Sequence, residues 1–294
     1  MRLRLNNNQV FSAVTFAVFF FSHAAVGQLS EMRVTKTAPT KDLTPIVREN
    51  QPSSGDVDVI GLKLGMSPSE AETVLRAYQK DFTFKYDRKE LYGSTRVIGS
   101  MHAKDRVIAN TKYLSSLIAK GTGFSWTPSP GKKGDWVFLV FSAPPSENKL
   151  IHIQRTKGYG GAGPTTEAYD NAFIKKYGTQ FFTYANSKIV RFVSGETVVD
   201  NDSNRCFQYA TSQSSNLLAF NPTRRNEVCG LVLGSTHTVL GNDTPIVNQL
   251  RTVLTDVNML HNVYSQTNKL ISDNNEKIKS DRIKAASENS ADIF

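Results

Sequence analysis

An apolar run too short to cross a bilayer, led by two arginines and closed by small residues, sets where this chain is expected to fold. Arg2 and Arg4 sit in a polar opening, and Val10–Phe21 is almost wholly apolar. Ala25 and Gly27 fit the −3 and −1 positions of one cleavage site, Ser22 and Ala24 those of another, so processing is expected after Gly27 or Ala24. A membrane helix needs about 20 apolar residues, which this run lacks, so residues 1–27 are expected to act as a secretory signal. The expected location is periplasmic or secreted, and such compartments oxidise thiols.

That setting gives the two cysteines their meaning. Cys206 and Cys229 are the only ones among 294 residues, and an isolated pair in an exported chain is expected to form a disulfide. Closing such a loop is worth about 3 kcal/mol on the chain-entropy account. After the signal no apolar run approaches the length of a membrane helix, and no cysteine stands at the cleavage site to accept lipid. No stable transmembrane anchor is therefore expected. The formal charge of +9 falls to +7 once Arg2 and Arg4 leave with the signal. A basic exported protein is drawn to anionic surfaces, although interspersed charge of this kind also serves solubility.

The rest of the chain divides by composition. Residues 28–56, rich in Thr, Pro, Ser and charge, read as a flexible leader, and residues 273–294 as a polar tail or frayed helix extension. Between them the pattern predicts an α+β fold, with helices packed on small antiparallel sheets in two units. The first unit covers residues 57–184. Val57, Val59, Ile60 and Leu62 form a short strand-like run, and Ser67-Pro68-Ser69-Glu70 holds a cap, a first-turn proline and a capping-box acid. Ala71, Val74, Leu75 and Tyr78 follow at helical spacing. Phe82, Phe84 and Tyr86 alternate like a strand, while Val107, Ile108, Leu114, Leu117 and Ile118 suit a helix. Residues 136–142 and 150–156 read as an antiparallel hairpin, and Thr166–Tyr177 as a helix stopped by Gly178. The second unit, residues 185–272, carries strands around Ile189–Val193, Arg205–Thr211 and Val228–Leu240. Thr244-Pro245 then opens a long C-terminal helix, with a stripe from Ile246 to Tyr264.

Motifs that would announce chemistry are sparse. Gly158–Gly163 lies between a strand and a helix, but its spacing departs from the dinucleotide fingerprint and Pro164 removes a donor, so a flexible connection is expected there. His102, His152, His237 and His261 show neither an i,i+4 pair nor neighbouring cysteines, so no metal site and no cofactor are expected. No Gly-x-Ser-x-Gly nucleophile elbow is present. The one suggestive constellation is basic and aromatic. Lys132 and Lys133 in a loop, with Arg155, Lys157 and Tyr159 near a strand end, form a candidate contact for an anionic surface, or equally a charged guard on a hairpin edge.

The stretch from Gly61 through Gly65-Met66-Ser67-Pro68-Ser69-Glu70-Ala71 to Leu75 resembles the helix entry of BamE-like small bacterial envelope proteins. The match covers about fifteen residues and consists of a turn, a cap and an apolar face. The chain departs from that family in its length and in lacking a lipid-accepting cysteine. The resemblance implies a bacterial envelope protein that binds rather than catalyses, and it transfers no functional residue. The expected function is thus non-enzymatic binding or scaffolding in the envelope, with an envelope protein or an anionic polymer as partner and nucleic acid not expected. Two alternatives stand beside it: an extracytoplasmic hydrolase with a composite site, and a secreted protein acting on host or polymer surfaces.

Overall fold

The computed structural model describes residues 55–93, 106–146, 148–212, 229–241 and 245–289. The signal, both cleavage positions, leader residues 28–54 and His102 lie outside the described residues. The strands are β1 (Thr83–Gly93), β2 (Arg106–Lys120), β3 (Lys133–Phe141), β4 (Leu150–Tyr159), β5 (Phe182–Tyr184), β6 (Ser187–Val193), β7 (Glu196–Val198), β8 (Leu231–Val239) and β9 (Val247–Asp256). The helices are α1 (Pro68–Tyr78), α2 (Thr166–Tyr177), α3 (Asp202–Ser212) and α4 (Val257–Asn289). This is an α+β fold with a long C-terminal helix, as the patterning predicts.

All nine strands belong to one sheet, ordered β1-β2-β3-β4-β9-β8-β6-β5, with β7 also paired to β6. The pairings are antiparallel throughout. Residues 57–184 and 185–272 therefore share a sheet rather than building one each. The joint is β4 against β9, with His152 opposite Thr255 and Gly158 opposite Gln249. The core is shared as well: Leu117, Val137 and Ile153 of the first segment cluster with Val190, Leu233 and Leu254 of the second.

Helices cover both faces. On one, α1 presents Ala71 and Leu75, and α2 presents Phe173 and Tyr177, to that shared core. On the other, α3 packs Cys206, Phe207 and Ala210 over Ile189, Val232 and Val253. On that same side α4 lays Leu260 and Val263 on Trp136, Phe138 and Val140. This double cover explains why β3 reads as an unbroken apolar run: Trp136 to Phe141 alternate between two dry layers. Gly234 in β8 is required by the α3 contact, because a Cβ there would lie 2.1 Å from the Phe207 ring.

Local signals around the helices hold. Ser67 caps α1 by accepting from the Glu70 N–H at 3.3 Å, while its own N–H donates to Glu70 Oε2 at 2.7 Å. The Ser67 N–H and the Ser67 hydroxyl, which donates to the same oxygen at 2.8 Å, hold the Glu70 carboxyl below its ordinary pKa. Thr165 caps α2, accepting from the Ala168 N–H, and Gly178 at φ 86° ends it. Val57–Leu62 is not a strand. Val57, Val59 and Leu62 are buried, but the backbone reverses at Ile60 and Gly61, leaving only a bridge between Val59 and Leu62.

Three further expectations are corrected. Val107–Ile118 is not helical but part of β2, held between β1 and β3, with Leu117 and Ala119 on one face. Arg205–Thr211 is not a strand but most of α3, because Cys206, Phe207 and Ala210 make one helical face. The Ile246–Tyr264 stripe is not one helix. Its first part is β9, inserted between β4 and β8, and helix α4 begins only at Val257, where Asp256 Oδ1 accepts from the Met259 N–H at 3.0 Å. Tail residues 273–289 continue α4.

Candidate functional site

Two strand ends and one helix end converge on an acid. The β3–β4 register places Lys133 opposite Tyr159, Gly134 opposite Gly158 and Asp135 opposite Lys157. Because side chains alternate along a strand, Lys133, Asp135, Lys157 and Tyr159 share the sheet face that α1 covers. Such close pairing needs Gly158, whose Cβ would otherwise fall 1.9 Å from the Lys132 carbonyl oxygen.

Asp135 is only 3% exposed and is held by three neighbours. Arg155 donates through Nε to Oδ1 at 3.0 Å and through Nη2 to Oδ2 at 2.6 Å, a two-point grip that suits the planar guanidinium. Tyr78, at the end of α1, donates its hydroxyl to Oδ2 at 3.1 Å and accepts from Arg155. Lys157 Nζ stands further off, 3.6 Å from Oδ2. Burial opposes the charge on Arg155, yet the bonds and attraction from Asp135 outweigh it and keep the guanidinium pKa above its ordinary value. Burial raises the Tyr78 and Tyr159 hydroxyls.

Beside this network opens a cavity of about 420 Å³, its wall including Gln79, Thr122, Lys133, Asp135, Lys157 and Tyr159. Four of the five residues in the basic-aromatic constellation thus come together here. Lys133 and Lys157 line the cavity, Tyr159 forms part of its wall, and Arg155 is turned inward onto Asp135. Lys132 is exposed next to Lys133. The sequence reading missed Asp135 and Gln79 and assigned Tyr78 only to an apolar helix face. An acid opening an otherwise apolar strand was the available signal for Asp135.

The glycine-rich segment is a packed turn rather than a flexible connection. Gly160 and Gly161 have φ of 61° and 85°, and the Val247 N–H donates to the Pro164 carbonyl at 2.8 Å.

On the opposite face of the sheet lies a second polar group, under α3 and α4. His152 is 1% exposed, and its Nδ1 is 2.6 Å from Thr255 Oγ1. Its Nε2 has no hydrogen-bond partner among the described residues. Burial, assisted by the nearby Arg251 charge, pushes its pKa down to about 3. Arg251 donates to Gln154 Oε1 at 2.7 Å and to the Thr211 carbonyl at 3.4 Å, and burial lowers its pKa. His237, by contrast, lies on the α2 side of the sheet, packed against the Tyr169 ring, and burial lowers its pKa too. His261 is half-buried on α4. Among the described residues no three His, Cys, Asp or Glu side chains gather as a metal cage.

The cysteines are joined as expected. Cys206 of α3 and Cys229, just before β8, have sulfurs 2.04 Å apart and Cα atoms 5.5 Å apart, both residues buried. Among the described residues no helix is long and apolar enough to cross a membrane. Comparison of the chain with protein-family models, curated proteins and solved structures found no match.

Proposed function

We propose that this protein is an exported, non-enzymatic binding or scaffolding protein of a bacterial cell envelope, and that it engages an anionic surface polymer. The observation that carries the reading is the cavity beside Asp135, where the basic residues of two strand ends meet. Arg155 neutralises Asp135, so Lys132, Lys133 and Lys157 leave a surplus of positive charge at one place. Such a surplus attracts polyanions and makes their binding depend on salt. The Cys206–Cys229 bridge supports a compartment outside the cytoplasm, and the helix entry resembling envelope proteins supports the bacterial setting.

The test is retention of the processed protein on lipopolysaccharide or acidic wall polymer. Retention at low salt that falls steeply as ionic strength rises is expected. Absence of retention, or retention indifferent to salt, would overturn the proposal.

A further inference from the structure

We infer that the cavity holds a single acidic sugar unit, a hexuronate or a phosphorylated hexose, with its anionic group between Lys133 and Lys157. This rests on the anionic-polymer reading and names the part of the polymer that is gripped.

Size comes first. A volume of about 420 Å³ lies toward the small end of ligand clefts, which run from about 300 to 1,000 Å³. It suits one substituted sugar ring.

Charge comes second. Asp135 is already gripped twice by Arg155 and once by Tyr78, which makes Lys157 at 3.6 Å its most loosely held partner. A ligand carboxylate or phosphate can draw that ammonium away while Asp135 keeps its other bonds. Lys133 is exposed and pairs with no carboxylate among the described residues. Two ammonium groups therefore face a space whose one buried acid is already neutralised.

The neutral wall comes third, and it separates a sugar from a bare anion. Thr122 donates its hydroxyl to Asp81 Oδ2 at 2.9 Å, which leaves the oxygen's lone pairs to accept from a ligand hydroxyl. Gln79, whose amide N–H also bonds the Asp81 carboxylate, contributes its amide oxygen, and Tyr159 an aromatic ring. Hydroxyl-bearing rings use such amides, hydroxyls and aromatic surfaces, whereas inorganic phosphate would engage the lysines alone. Asp135, Arg155 and Tyr78 act as positioning residues, holding Lys157 at the mouth.

Calorimetric titration of the processed chain with glucuronate, glucose 6-phosphate, glucose and inorganic phosphate tests the inference. The two acidic sugars should bind at least tenfold more tightly than glucose or phosphate. The double variant Lys133→Ala/Lys157→Ala should lose at least tenfold in that binding, and Lys63→Ala, on the turn before α1, should lose none. Should the double variant melt early, Lys133→Glu alone tests the same point at an exposed side chain. Equal binding of glucose, or acidic-sugar binding untouched in either lysine variant, would overturn the inference. Polymer retention with no binding of any acidic sugar would overturn it while leaving the broader proposal standing. Acidic-sugar binding without polymer retention would uphold the cavity assignment and sink the polymer.

Discussion

Strand β4 carries a different kind of polar network on each of its faces. Toward α1, Arg155 meets a buried carboxylate and the charges cancel at hydrogen-bond distance. Toward α3 and α4, Arg251 meets only an amide and a carbonyl, and His152 is kept neutral by burial. The sheet thus buries polar groups in two ways: by pairing charge, and by suppressing it. The first borders an open cavity. The second makes an interior that resists protons.

The sharpest way to break this contrast is to remove the anion. Asp135→Ala leaves Arg155 beside the core without a counter-charge, only the Tyr78 hydroxyl still accepting from it, and breaking a buried pair from one side costs about 3–5 kcal/mol. Urea denaturation should show that loss, and adding Arg155→Met should recover most of it. Full recovery through charge removal would confirm that the cost lies in the orphaned cation rather than in lost packing.

The opposite face has a covalent element instead. Replacing both cysteines by serine, or reducing the bridge, should lower stability by about 3 kcal/mol. An unchanged denaturation midpoint would mean that packing of α3 over Ile189, Val232 and Val253 holds the helix without the bridge.

Acid should separate the two faces. The folded pKa of His152 is about 3 against an ordinary 6.5. Below pH 6.5 the unfolded chain therefore binds a proton that the folded chain refuses, so stability falls as pH falls through that window toward 3. The loss between pH 6.5 and 5 should be roughly 2 kcal/mol, in a range where carboxylates titrate little. His152→Leu should flatten the slope. Persistence of the slope would place the titrating group elsewhere.

The smallest effect belongs to the α1 cap. Ser67→Ala should cost about 1 kcal/mol and, if α1 positions Tyr78 as described, should weaken acidic-sugar binding slightly. Loss of stability without any change in binding would uncouple the helix from the cavity.

What could be read from sequence follows the range of the interaction. The α1 entry was legible because Ser67, Pro68 and Glu70 act on one another within a single turn. The β3–β4 hairpin was legible for similar reasons. Strand β9 was not: Val247, Leu250, Val253, Leu254 and Val257 satisfy a helical spacing, and only pairing with β4 and β8, remote in sequence, makes most of them a two-sided strand. Arg205–Thr211 misled through its Cys, Phe and Tyr, which favour strands until packing decides. In the candidate site the lysines and Arg155 were visible as a charge pattern. The pairing of Asp135 with these cations became visible only with the register that sets it opposite Lys157.

The last of the described strands, β9, occupies a place in the middle of the sheet, between β4 and β8. Until residue 256 has emerged, the two halves have nothing to zip against, and Ile153 and Leu233 lack the Leu254 that joins their layer. An incomplete polypeptide lacking β9 is thereby kept from closing its sheet early. Its architecture locks from the tail, and a truncated product ending before β9 has no finished shape to settle into.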